Sequence, residues 1–416
     1  DVANEKQIYE GGYAGRQVFE LVQNAADAAR IAGVDGRIEL FLSKTGSLYC
    51  ANTGEPLTAD GLTALQFNRL SPKTNQDVEL IGRFGVGFKS LLAVTKSPAI
   101  FSRTGSVLFD SDRAEEEIRS RVPQVRQTPR MRLTFPVEPQ DEFDADPELA
   151  LLADWADTVV RLPIDEESRA FVGEELKDFP LEFLLFARHI KTITLRWDGG
   201  ERKISAKEKD GVITLSDGQN RTRWRVFEAS EELSAEAKVD VPTGYDPDRP
   251  VPMLWAVPVK GESNGRVWTF FPTDVEISLS GILNAPWKTT EDRTSVSSGP
   301  YNNELLEVAS RLVADSLPIL VDDVDQPGDI VDILPEEDAF RRHGWLEKTL
   351  AESVYEECSR SEAFCDSNGD RCLAEDLKLS GLEPHPKTGE LWAEAPTVPP
   401  GWAHWTFFTE SRRARM

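Results

Sequence analysis

Residues 82–90 read Gly82-Arg83-Phe84-Gly85-Val86-Gly87-Phe88-Lys89-Ser90, with three glycines close together ahead of a helix expected over Phe88–Val94. No other stretch restricts the fold as much. Glycines packed this densely mark a backbone that turns sharply or comes close to a partner. The N–H groups of such a loop, with the start of the following helix, can hold phosphate. A plain turn uses glycine in the same way. Gly82 and Gly87 have the separation of a Walker A loop, but Phe88 intrudes before Lys89. The preceding residues 71–79 are polar and turn-rich, where a Walker loop follows a buried strand. The dinucleotide fingerprint Gly-x-Gly-x-x-Gly occurs only in reverse order.

Residues 16–32 predict a helix. Val18, Leu21, Val22, Ala25, Ala28 and Ala29 recur at helical spacing, and Gly33 supplies the stop. Glu20, Asn24 and Asp27 fall at i, i+4 and i+7 and share the other face. A pocket that receives Glu and Asn from one helix has a base for water and a neutral oxygen ligand for hydrated Mg²⁺. On spacing alone the same residues also suit an amphipathic helix with a solvated face. Residues 37–42 and 47–51 alternate like two strands joined at Lys44-Thr45-Gly46. The turn Asn52-Thr53-Gly54-Glu55-Pro56-Leu57-Thr58 follows directly.

Further along, residues 59–69 predict a helix, and 98–109 and 130–137 predict strands. Residues 111–128 and 138–150 have the character of charged surface connections. Residues 158–164 predict a strand and 180–191 a helix. Asp198-Gly199-Gly200, Asp210-Gly211 and Asp217-Gly218 then punctuate a meander. A second α/β unit is expected over about 251–322, with strands at 251–258 and 266–271 and a helix at 301–316. Residues 323–329 have the composition of a linker.

The formal charge of -25 argues against a duplex nucleic-acid partner, which needs a basic surface. No run of eighteen apolar residues occurs, so no membrane span is expected. The first residues, Asp1-Val2-Ala3-Asn4-Glu5, have neither the basic region nor the apolar run of a signal peptide. They also lack an initiator Met, which suits a chain processed or excised from a longer one. Cys50, Cys358, Cys365 and Cys372 form no Cys-x-x-Cys pair and suit reduced thiols in a cytoplasmic protein.

The helix, the Asn-x-Gly turn and the glycine loop, in this order, resemble the GHKL superfamily of gyrase, the large heat-shock chaperone, histidine kinases and MutL. Glu20-Leu21-Val22-Gln23-Asn24-Ala25-Ala26-Asp27-Ala28, Asn52 to Thr58, Ile81 to Ser90 and Thr95-Lys96-Ser97-Pro98 look like the sacsin branch. Asp157-Thr158-Val159-Val160-Arg161-Leu162 resembles the last strand of the family's ATP site. Phe183 to Ile190 and Gly265 to Pro272 resemble the region after the ATPase in sacsin. The likeness covers residues 10–320, more loosely beyond 110.

The resemblance implies an α+β fold: a GHKL (Bergerat-type) α/β sandwich over 1–165 and a middle, transducer-like α/β domain over 166–322. Residues 323–416 would be a linker and a C-terminal region of unknown role. It implies ATP and Mg²⁺ as cofactors and slow ATPase activity. Glu20 would orient or deprotonate the attacking water, and Asn24 would ligate Mg²⁺ with the phosphates. Asp27 and Thr158 would line the nucleoside end. Gly82, Gly85, Val86, Gly87 and Phe88 would hold the triphosphate through their N–H groups, and residues 68–81 would form a lid. Asn52, with Gly54 behind it, stands where most of the superfamily has an Asp that accepts from the adenine amino group. An Asn carbonyl accepts that bond without charge assistance. Lys288 or Arg293 would present a cation to the γ-phosphate. The partner would be a client protein or a further domain, and the resemblance allows a nucleotide-dependent dimer. A histidine-kinase role fits less well, because no His precedes residue 189. A nucleotide-binding module without turnover would have no need of Glu20.

Overall fold

A computed structural model describes residues 16–66, 87–243, 245–260, 264–290, 294–336, 344–379 and 401–415, with positions 339, 391 and 394 besides. The architecture mixes α and β and divides into two compact units. The first comprises Asp1–Lys207 with Thr214–Arg221 and Thr243–Tyr245. The second comprises Glu208–Ile213, Thr222–Pro242 and Asp246–Met416.

In the first unit, helix α1 spans Gln17–Ala32 and ends at Gly33, whose φ of 65° and N–H to the Ala29 and Arg30 carbonyls close the last turn. Strands β1 (Gly36–Leu42) and β2 (Ser47–Asn52) follow as an antiparallel hairpin that sets Leu40 opposite Cys50 and Phe41 opposite Tyr49. Alternation sorts these side chains onto two faces. Cys50 lies against α1, with its thiol toward the Leu21 carbonyl. Tyr49 and Ala51 face the other way and share a core with Phe101, Leu149 and Leu152.

The remaining strands of this unit are β3 (Ala99–Ser102), β4 (Gly105–Leu108), β5 (Phe135–Pro136), β6 (Thr158–Pro163), β7 (Ile190–Trp197) and β8 (Gly200–Lys209). Their order across the sheet is β8-β7-β1-β2-β6-β3-β4-β5. β7 lies parallel to β1, Ile38 opposite Ile193, and the other neighbours near the site run antiparallel. β8 turns at Asp210-Gly211 into β9 (Val212–Ser216), as the meander signature predicts.

Several connections expected to be irregular are helical. Residues 111–128 contain the helix Ser111–Arg121, capped by the Asp110 carboxylate at the Asp112 and Arg113 amides. Residues 138–150 hold Pro139–Ala145 and the start of Pro147–Ala153, each with proline in its first turn. Glu166–Lys177 is a further helix, capped by Asp165. The helix expected over 180–191 is confined to Phe183–Phe186, because Ile190 already belongs to β7.

The second unit carries β10 (Arg221–Glu231), β11 (Val251–Pro258), β12 (Gly265–Trp268), β13 (Pro272–Ile277) and β14 (Ile282–Asn284), ordered β13-β12-β14-β11-β10. Trp255 of β11 is fully buried and donates from Nε1 to the Ser280 carbonyl at 3.0 Å. The helix Pro300–Leu320 packs on β11 and on the helix Trp345–Cys358. Arg225 pairs with Asp323 through Nε and Nη2, and the 3₁₀ turn Pro327–Ile333 buries Ile330 and Val331. Arg412 holds Asp329 and Asp332 at 2.7 and 2.5 Å. A small hairpin, β15 (Phe364–Cys365) with β16 (Arg371–Cys372), completes the unit. All four cysteines are free thiols, and burial pushes Cys50 and Cys358 up to about 12. Among the described residues no helix is long and apolar enough to cross a membrane.

Candidate functional site

The polar face of α1 does not point into open solvent. Glu20 is 4% exposed and Asp27 1%, while Asn24 is half-buried. A solvated amphipathic helix would leave carboxylates in water, since burying them without compensation is costly. The alternative of a bland surface helix is therefore set aside by burial.

The Asn52–Gly54 turn meets this helix at its C-terminal half. Gly54 has φ of 142°, and a Cβ built there would lie 2.5 Å from both the Ala28 carbonyl carbon and the Ala29 nitrogen. Only glycine lets the turn come this close. The approach is fixed from both sides. The Glu55 amide donates to the Ala28 carbonyl at 2.9 Å, and the Gly54 amide donates to Asp157 Oδ2 at 2.9 Å. Asp157 in turn donates its own amide to the Asn52 carbonyl at 2.9 Å and receives Arg103 Nε at 2.6 Å.

Sheet register sets Thr158 opposite Asn52 on one side and Ser102 on the other. The Ser102 and Thr158 hydroxyls are 3.1 Å apart, and Ser102 also accepts the Leu57 amide at 2.9 Å. Asn52 is buried, and its Nδ2 donates to the Thr53 carbonyl at 3.3 Å. The donor end of the amide is thus engaged locally.

Asn52, Gly54 and Thr158 are accordingly brought together beside α1. Gly87 and Phe88 open a 3₁₀ helix, Gly87–Ala93, that packs against α1. The Phe88 side chain is core, 6.1 Å from the Phe109 ring, which leaves its backbone for any ligand role. Gly82, Gly85, Val86, the lid segment 68–81 and Arg293 lie outside the described residues. Lys288 belongs to the second unit, where its Nζ is ion-paired with Asp240 and its backbone is held by Asn302 on both its N–H and its carbonyl. Among the described residues no group of three or more His, Cys, Asp or Glu side chains is placed to hold a metal ion.

Two residues that tie the site together were not singled out from sequence for these roles. In the sequence Asp157 belongs to a strand motif, and an acid just before a strand that lines a pocket is a usable signal. Ser102 gives no sequence signal, because its role comes entirely from register.

Glu175, on the helix Glu166–Lys177, lies against the start of α1. Both of its oxygens are closed to solvent and neither has a hydrogen bond of normal geometry. Burial pushes its carboxyl from 4.5 to about 7, against the opposing pull of the Val18 amide and Arg16 at the start of α1. A pKa raised on folding gives stability that is full below the unfolded value and is lost as pH rises through the folded one. Between pH 4.5 and 8 this group should therefore cost the fold about 3 kcal/mol. Glu175→Gln should remove that pH dependence and stabilise the chain at pH 8, but hardly at pH 4.5. Urea unfolding of both proteins at the two pH values checks it, and equal stability differences at both would reject it.

No family model matches the chain. It is similar to curated bacterial proteins named chaperone protein HtpG. The one from Shewanella baltica strain OS155 is 24% identical over 262 residues, covering 55% of this chain and 36% of the relative. The one from Shewanella sediminis is 24% identical over 258 residues with the same coverage. The one from Shewanella sp. strain ANA-3 is 30% identical over 133 residues, covering 24% of this chain and 21% of the relative. The chain thus spans about a third, or less, of the length of the curated relatives it matches. This similarity supports affinity with the GHKL superfamily on its heat-shock-chaperone side, without singling out a sacsin-like domain.

Proposed function

We propose that the chain binds Mg·ATP in a GHKL (Bergerat-type) site and acts as a slow ATPase and conformational switch. It would belong to the heat-shock-chaperone or sacsin branch and work in the cytoplasm on a client protein or a further domain. The observation that carries this is the seating of Gly54 on the backbone of α1, tethered by Asp157, next to the buried acidic face of the same helix.

The residues present suit the proposed ligands. Mg²⁺ keeps several waters and takes one or two protein oxygens with phosphate oxygens, so it needs no all-protein cage. Asn24 supplies such an oxygen. When bound, the ion neutralises phosphate charge. Glu20 orients and deprotonates water from a site that excludes bulk solvent. Asn52 would present its acceptor oxygen to an exocyclic amine, a role that its Nδ2 bond to the Thr53 carbonyl supports. Asp27 and Thr158 line the nucleoside end, and the N–H groups of Gly82, Gly85, Val86, Gly87 and Phe88 take the phosphates. The segment 68–81 would close over them. Lys288 or Arg293 would answer the γ-phosphate, Lys288 only after leaving Asp240. A contact made with ATP and not with ADP is what gives a ligand its hold on a two-state equilibrium. A nucleotide-dependent dimer would extend the same switch.

Thermal unfolding tests the proposal. At about a hundred times its Kd, Mg·ATP should stabilise the fold by about 2.7 kcal/mol, a rise in Tm of about 5–10 °C. No shift at millimolar Mg·ATP, with the protein folded, would rule it out.

A further inference from the structure

The second unit contains a pocket of 380 Å³ at the first turn of the helix Trp345–Cys358. Val275 and Glu276 of β13, Val296, Ser298, Trp345 and Glu347 form most of its wall. Glu347 is 4% exposed. Its Oε1 accepts from the Ser278 amide at 2.9 Å and from the Ser278 hydroxyl. Its Oε2 is closed to bulk water and has no hydrogen-bond partner. A buried carboxyl oxygen left without a donor is unfavourable, and native proteins keep few of them.

The sign of the pocket decides what fits. The first turn of a helix carries roughly half a positive charge. Glu347 and the exposed Glu276 bring acidic acceptor groups, so the balance favours a cationic donor. A divalent metal is a poor candidate, since two carboxylates and one serine hydroxyl fall short of the six or more oxygens that hard ions gather. Among the described residues no three-ligand cluster exists. That leaves an organic cation. A guanidinium has five donors in a planar fork, enough to serve Glu347, Glu276 and Ser298 together, and aromatic walls such as Trp345 attract it. The valines suit its methylene stem. The chain's charge of -25 draws basic partners toward it.

We propose that this pocket takes the guanidinium of an arginine presented by a partner protein. The proposal stands independently of nucleotide binding. It is tested by calorimetry of the whole chain, at physiological ionic strength, with N-acetyl-arginine methylamide and its neutral isostere N-acetyl-citrulline methylamide. Saturable arginine binding with a Kd on the order of millimolar is expected for so small a probe. The citrulline probe should bind at least about tenfold more weakly. Glu347→Gln, which keeps an acceptor for Ser278, should cost about tenfold or more. Glu276→Lys, on an exposed side chain that leaves the core intact, should abolish binding. Arginine binding that never saturates, citrulline binding as well as arginine, or full binding by Glu276→Lys would each overturn the proposal.

Discussion

A Gly54→Ala chain is expected to lose most of the stability of its first unit. The added methyl would lie 2.5 Å from main-chain atoms of Ala28 and Ala29, which cannot rotate aside as a side chain can. Either the turn or the helix must move. Movement breaks the Gly54–Asp157 and Glu55–Ala28 hydrogen bonds, both 2.9 Å. Two such bonds are worth about 2 kcal/mol together. The unfavourable φ adds about 1–3 kcal/mol for any residue with a Cβ. The total, about 3–5 kcal/mol, is a large part of what holds a domain folded. Urea denaturation followed by tryptophan fluorescence measures it. A loss below about 1 kcal/mol would mean that the seating of the turn on α1 is not as tight as described. Any folded fraction should also bind nucleotide more weakly, since Asn52 and Thr158 are positioned through the same turn.

For Glu20 the expected change is in rate, with stability a minor issue. Glu20→Ala should lower ATP turnover by about a hundredfold or more, the usual share of a general base. Mg·ATP affinity should stay within a few-fold, because a base that acts on water contributes little to ground-state binding. Glu20→Gln, which keeps the shape of a nearly buried side chain, guards against a folding defect and should lose turnover equally. Asn24→Ala should behave differently and lose the Mg-dependent part of binding itself. Steady-state hydrolysis with parallel calorimetry separates these outcomes. Parental turnover in Glu20→Gln would remove Glu20 from its assigned role, whether or not nucleotide binds.

Much of this arrangement is legible in the sequence. Val18, Leu21, Val22, Ala25 and Ala29 announce α1 because one apolar face is buried along its whole length, and Gly33 marks its end by geometry. β1 and β2 are legible as short apolar runs joined by a glycine-containing turn, and burial on both faces leaves β2 apolar from Leu48 to Ala51. The helices at 111–121, 139–153 and 166–177 were harder. Ser111–Arg121 buries only Ser111 and Ala114, too few apolar positions to set a period. Its signal lies at its start, in Asp110, as it does for Asp146 and Asp165. Proline in 138–150 suggested a loop, yet Pro139 and Pro147 sit in the first turns of helices, where proline is at home. In the candidate site, Asn52, Gly54 and Thr158 stand out in the sequence, but the ties between them do not. The bond from Gly54 to Asp157 spans 103 positions and follows from sheet register, which no local pattern encodes.

The parallel pairing of β1 with β7 bears on how the chain is made. β1 gains its neighbour β2 within a few residues of synthesis, but its other edge waits for residues 190–197. At about 5–20 residues per second, about seven to thirty seconds pass between the two on a ribosome. A hairpin formed in that interval would have one edge of β1 without its partner strand, on a strand whose Ile38 and Leu40 end fully buried. An open, apolar edge invites pairing with a neighbouring chain.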